Sequence, residues 1–90
     1  MDRIYTGAPS ELALVDGAGQ RTLRIASAGS HTAVVWNPGA TVAAGMADLS
    51  SGGERHFVCV ETANAANDVV TVPPGGEHRL VAHIGLVTPP

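Results

Sequence analysis

The chain has no lysine, one cysteine and three aromatic residues in 90 positions. Each shortage excludes something. Its five basic residues are all arginine, scattered at Arg3, Arg21, Arg24, Arg55 and Arg79, against eight acidic ones. A net charge of −3 without a basic stripe gives no footprint for a nucleic-acid partner. Cys59 is alone, so no intrachain disulfide can form. No apolar run approaches the roughly 20 residues that span a bilayer, so no membrane partner is expected. The opening Met1-Asp2-Arg3 lacks the apolar core of a secretory leader. A cytoplasmic location is the expectation.

Tyr5, Trp36 and Phe57 are the only aromatics. Aromatic side chains bury about 150–250 Å² each, so the core lacks its usual largest contributors. Charged residues make up only 14% of the chain. A small core and a sparsely charged surface together point to a covering partner surface, a second copy first of all. A homo-oligomer, with a dimer as the first guess, is expected.

What is present is punctuation. Eleven glycines and six prolines separate short runs rich in Val, Ile, Leu and Thr. This pattern predicts an all-β fold, an antiparallel β-sandwich over residues 1–90 as a single domain. Strands are expected near Arg3–Tyr5, Glu11–Val15, Arg21–Ala26, Thr32–Trp36, Arg55–Thr62, Asp68–Val72 and His78–Leu86. Asp16-Gly17-Ala18-Gly19 reads as a hairpin turn, and Pro73-Pro74-Gly75-Gly76 as a second break. Between Asn37 and Gly53 no period holds, although Ala43–Leu49 could form a helical turn.

Alternation places Phe57, Cys59 and Glu61 on one face of their strand, and His56, Val58 and Val60 on the other. Two apolar faces predict a central strand. A carboxylate that continues an apolar row would be partly desolvated, which raises its pKa and suits it to proton abstraction. The competing reading is that the apolar row ends there and Glu61 faces water. Trp36-Asn37-Pro38-Gly39 ends a strand in a tight turn. It offers an apolar ring and an amide, a pair that suits a sugar, or it is an ordinary core Trp with an Asn-Pro turn. His31, His56, His78 and His83 show no metal-binding spacing, and Cys59 has no CxxC partner. No metal site is expected.

Four segments in order carry a resemblance: Asp2-Arg3-Ile4-Tyr5, Val35-Trp36-Asn37-Pro38-Gly39, Met46-Ala47-Asp48-Leu49, and Phe57-Val58-Cys59-Val60-Glu61-Thr62-Ala63. Val72-Pro73-Pro74-Gly75-Gly76 before a last strand adds a fifth. Together they resemble the C-terminal third of hexose-6-phosphate mutarotases, the glucose-6-phosphate 1-epimerase-like members of the aldose 1-epimerase superfamily. The resemblance implies part of a galactose mutarotase-like supersandwich, so the chain is expected to be either a fragment of a longer protein or a small protein completed by self-association. It implies interconversion of hexose 6-phosphate anomers without a metal or organic cofactor. Glu61 matches the carboxylate that takes the anomeric hydroxyl proton. Asp2 matches an acidic residue that binds sugar hydroxyls, and Trp36 and Asn37 match the neighbouring substrate-binding motif. The family's catalytic histidine and phosphate-binding arginines lie upstream of the matched region. Their absence implies weak or no epimerase activity. The alternatives are a non-catalytic module that binds a hexose or hexose phosphate, and an oligomerising structural module.

Overall fold

The computed structural model describes residues 1–87, and the chain folds into six antiparallel strands in two sheets. They are β1 (Asp2–Thr6), β2 (Glu11–Asp16), β3 (Arg21–Ala28), β4 (Thr32–Trp36), β5 (Cys59–Ala63) and β6 (Val81–Leu86). The first sheet has the order β1-β4-β5 and the second β2-β3-β6. A short helix α1 (Gly39–Ala43) and a 3₁₀ turn over Gly53–His56 fill the excursion between β4 and β5. No helix among the described residues is long and apolar enough to cross a membrane.

The β2–β3 hairpin forms where the Asp-Gly-Ala-Gly signal predicts it. Asp16 and Arg21 close it as a cross-strand pair. The Asp16 carboxylate accepts the Gly19 N–H at 2.9 Å and the Arg21 Nε–H at 3.0 Å. The Gly19 amide, then Arg21, hold the Asp16 pKa below its ordinary value. Further along, Arg24 pairs with Glu11 through two nitrogens, at 2.7 and 2.8 Å, on the solvent side of the sheet.

Cross-strand register assigns the faces. In the first sheet Tyr5, Ala33, Val35 and Val60 point toward the second, and Val58, just before β5, lines the same cleft. They meet Leu12, Leu14 and Ile25 across a cleft of about 430 Å³. The two layers touch chiefly at their central strands. Ile25 on β3 is 6% exposed, and Thr32 and Ala33 on β4 are 3% and 5% exposed. With Pro38 and Ala43 these are the buried residues among the described ones. Beyond the central strands the apolar face lies open. Ile84 and Leu86 on β6 follow Ile25 and Leu23 in register, yet remain 60% and 67% exposed.

Several expectations differ from the structure, among them the helical turn expected over Ala43–Leu49, which forms earlier, as α1. The segment 68–72 is not a strand, although its alternation favours one. Asp68 is drawn instead into a polar knot: its carboxylate accepts the His31 N–H at 2.7 Å and lies 3.0 Å from the Thr32 hydroxyl and 3.3 Å from the Asn64 amide. The expected strand over Arg55–Thr62 starts only at Cys59. Asn37 donates its amide hydrogens to the carbonyls of Glu54 and Phe57, at 2.8 and 2.7 Å, so a 3₁₀ turn replaces the strand's first half. That strand is also an edge, paired with β4 alone, rather than a central one. The last strand begins at Val81 rather than His78. His78 is held back by a 3.1 Å hydrogen bond with Asn64. Gly29 is needed where this segment crosses the β3–β4 turn: its φ is +83°, and a Cβ there would strike the Arg79 carbonyl.

Candidate functional site

The candidate site lies on the outer face of the first sheet. Antiparallel register builds it in rows, because directly opposed residues project to the same side. One row reads Asp2, Trp36, Cys59 across β1, β4 and β5. The next reads Ile4, Val34, Glu61, and the third Thr6, Thr32, Ala63. Three of the four expected site residues, Asp2, Trp36 and Glu61, thus share one face in adjacent rows. Two strand spacings and two residues of rise put the Asp2 and Glu61 backbones roughly 12 Å apart. That gap is wide enough for a pyranose ring over the Ile4–Val34 floor.

Trp36 is braced from one side. Its ring centroid lies 6.3 Å from that of Phe57, with the planes tilted by 44°. Such tilted pairs contribute about 0.5–1.5 kcal/mol beyond area burial. Phe57 faces the site because it precedes Cys59 by two residues, as alternation requires. Glu61 is exposed to solvent, and no hydrogen bond or ion pair to its side chain occurs among the described residues. It faces water, as one of the two sequence readings held.

Asn37 has a different position. Both of its amide hydrogens go to main-chain carbonyls, and its Oδ1 accepts the Gly39 N–H at 3.0 Å. Its backbone exchanges hydrogen bonds with Met1, at 2.6 and 2.8 Å. One residue therefore ties together the end of β4, the entry to α1, the 3₁₀ turn and the start of β1. Pro38, next in sequence, is buried. The turn that presents Trp36 is fixed by this knot.

The histidines fall elsewhere. His31 and His78 belong to the Asp68 and Asn64 network, His83 lies on β6 in the other sheet, and His56 ends the 3₁₀ turn. None occupies the rows that hold Asp2, Trp36 and Glu61. Arg3 pairs with Val35 and so projects from the opposite face of the sheet. No cluster of three potential metal ligands occurs among the described residues.

A family model for aldose 1-epimerase matches residues 1–85. The chain belongs to the aldose 1-epimerase family. Two curated relatives carry the name "Putative glucose-6-phosphate 1-epimerase". The one from Cenchrus ciliaris is 35% identical over 79 residues, 88% of this chain and 24% of that protein. The one from Escherichia coli (strain K12) is 34% identical over 65 residues, 72% of this chain and 22% of that protein. The chain thus spans about a quarter of the length of the relatives it matches. No solved structure matches it significantly.

Within this aldose epimerase module, sequence reasoning found the ends of the face but not its floor. Ile4 and Val34 separate Asp2 from Glu61, and Phe57 supports Trp36. Register would have found the floor, because once β1 pairs with β4 the opposed residues are determined. The anchoring work of Asn37 had no local signal, since its partners lie 17 and 20 residues away.

Proposed function

We propose that this module presents the base-bearing wall of an aldose epimerase site, with weak or no epimerase activity of its own. The observation that carries the reading is the shared outer face of Asp2, Trp36 and Glu61. Glu61 is the carboxylate that would take the proton from the anomeric hydroxyl. Ring opening also needs an acid to protonate the ring oxygen as the bond from that oxygen to the anomeric carbon breaks. The rows around Glu61 hold no histidine to give that proton. Base and acid act as a unit, so one without the other leaves little of either's effect, each worth about 10²–10⁴ in rate.

Binding of a hexose is the activity this wall supports best. The Trp36 ring suits the apolar face of a sugar, and the Asp2 and Glu61 carboxylates suit hydroxyls. No arginine stands in these rows, so a 6-phosphate adds little attraction. The test is a titration of the labelled chain followed by amide chemical shifts. Glucose and glucose 6-phosphate are expected to move the same amides of β1, β4 and β5 with similar weak affinity, while inorganic phosphate moves none. A strong preference for the phosphate ester would contradict the arginine-free wall. No shifts at all would favour the structural-module reading.

A further inference from the structure

Proline leaves one step of the first sheet without a donor. Asn37 and Met1 exchange main-chain hydrogen bonds, so the Asn37 N–H and C=O point toward β1. The Asn37–Pro38 peptide is trans. The Pro38 nitrogen shares that peptide unit with the Asn37 carbonyl, and so its free side faces the other way, toward β5. The β4–β5 register runs Val35↔Val60 and Trp36↔Cys59, and its continuation opposes Pro38 to Phe57. In an antiparallel ladder, residue 38 would give its N–H to the Phe57 carbonyl at this step. Pro38 has no N–H to give.

The Asn37 side chain supplies what the proline lacks. Its amide nitrogen lies 2.7 Å from the Phe57 carbonyl and 2.8 Å from that of Glu54. A side-chain amide has two hydrogens, and these two carbonyls take both. Its Oδ1 accepts the N–H of Gly39, two residues on, which holds the amide in an Asx turn. No hydrogen of this amide is left for a sugar hydroxyl. What the amide grips is the main chain that carries Phe57, and the Phe57 ring braces Trp36. Phe57 is 37% exposed and β5 begins only at Cys59, so neither deep burial nor the strand ladder fixes it.

We propose that Asn37 is a positioning residue for sugar recognition. Its side chain stands in for the missing Pro38 N–H, fixes Phe57, and through Phe57 sets the Trp36 ring against which a hexose stacks. Asn37 itself touches no sugar. Only the last step rests on the hexose-binding reading of this wall; the grip on Phe57 and its effect on Trp36 do not. The geometry is particular to asparagine. Ser keeps an acceptor for the Gly39 N–H but has one hydrogen for two carbonyls, and Gln carries the same amide one methylene too far.

Trp36 is the only tryptophan, so its fluorescence reports this aromatic pair without background. Asn37→Ser is expected to shift the Trp36 emission and to weaken glucose binding about two- to tenfold, the range set by loss of one aromatic brace. Phe57→Leu, which leaves both main-chain acceptors in place, is expected to do the same. The double variant decides. If Asn37 acts through Phe57, adding Asn37→Ser to Phe57→Leu changes neither the emission nor the affinity further. Amide shifts of β2 and β3 are expected to keep their parent values throughout, which separates a local effect from loss of the fold. Asn37→Gln runs the same cycle if Asn37→Ser does not fold. Effects that add in the double variant, or a Trp36 emission that neither Asn37 variant moves, would overturn the proposal. If the parent chain binds no glucose, the hexose reading fails, and the emission cycle alone still decides whether Asn37 positions Trp36 through Phe57.

Discussion

The two sheets have the same number of strands and are held together differently. The first, β1-β4-β5, is fastened by specific polar bonds. Thr32 is nearly buried, with its hydroxyl 2.5 Å from the Ala63 carbonyl and 3.0 Å from Asp68, and it accepts the Ala65 N–H at 3.0 Å. Asn37 fastens the other end of β4. The second sheet, β2-β3-β6, is held by side-chain area and surface ion pairs, and its apolar row from Leu12 through Ile25 to Ile84 runs out into solvent. Directional bonds fix a geometry even where little area is buried, whereas apolar contact needs something on the other side. The first sheet carries the candidate site and is the one whose geometry is fixed.

The largest expected effect tests the only well-buried aliphatic of the second sheet. Ile25→Ala removes the contact between the layers and should cost about 2–4 kcal/mol in urea unfolding followed by circular dichroism. Small domains have a total margin of only about 5–15 kcal/mol, so this variant should unfold well before the parent. A loss below about 1 kcal/mol would mean that the layers do not stabilise each other. Thr32→Val comes next. It keeps the shape but leaves the Ala65 N–H without its acceptor, at about 1–3 kcal/mol. If Thr32→Val proved harmless while Ile25→Ala did not, the contrast between polar and apolar fastening would fail.

Asp68 sharpens the same contrast through pH. The His31 amide, then Thr32 and Asn64, hold its carboxyl below the usual carboxylate range. A depressed folded value means that ionised Asp68 stabilises the fold. That contribution is complete above the unfolded pKa of about 3.9 and disappears as pH falls through the lower folded value. The urea midpoints of parent and Asp68→Asn should therefore differ by a constant amount between about pH 5 and 7 and converge in acid. The smallest effect belongs to the second sheet's surface. Arg24→Gln breaks the ion pair with Glu11, which lies in open solvent, and should leave the unfolding midpoint within error.

Much of the fold was legible in the sequence because it depended on local signals. Alternation and the Asp16–Gly19 turn place β1 to β4 within two residues of their ends. What was hidden depended on distant partners. The run Asp68-Val69-Val70-Thr71-Val72 reads as a strand, but Asp68 is committed to residues more than 30 positions away. The beginning of the Arg55 strand is lost to Asn37 for the same reason. For the site, parity put Glu61 with Cys59 and Phe57, and register then brought Asp2 and Trp36 onto the same face. Nothing local in the sequence showed that Asn37 already spends its amide on the backbone.

The most direct test is anomer exchange on glucose 6-phosphate, measured by NMR saturation transfer with the chain and its Glu61→Gln variant. With Glu61 as the proposed base and no histidine in its rows to act as acid, the exchange rate should equal that of buffer in both samples. A clear acceleration by the parent, abolished in Glu61→Gln, would contradict this account and show that the ninety residues assemble a complete epimerase site.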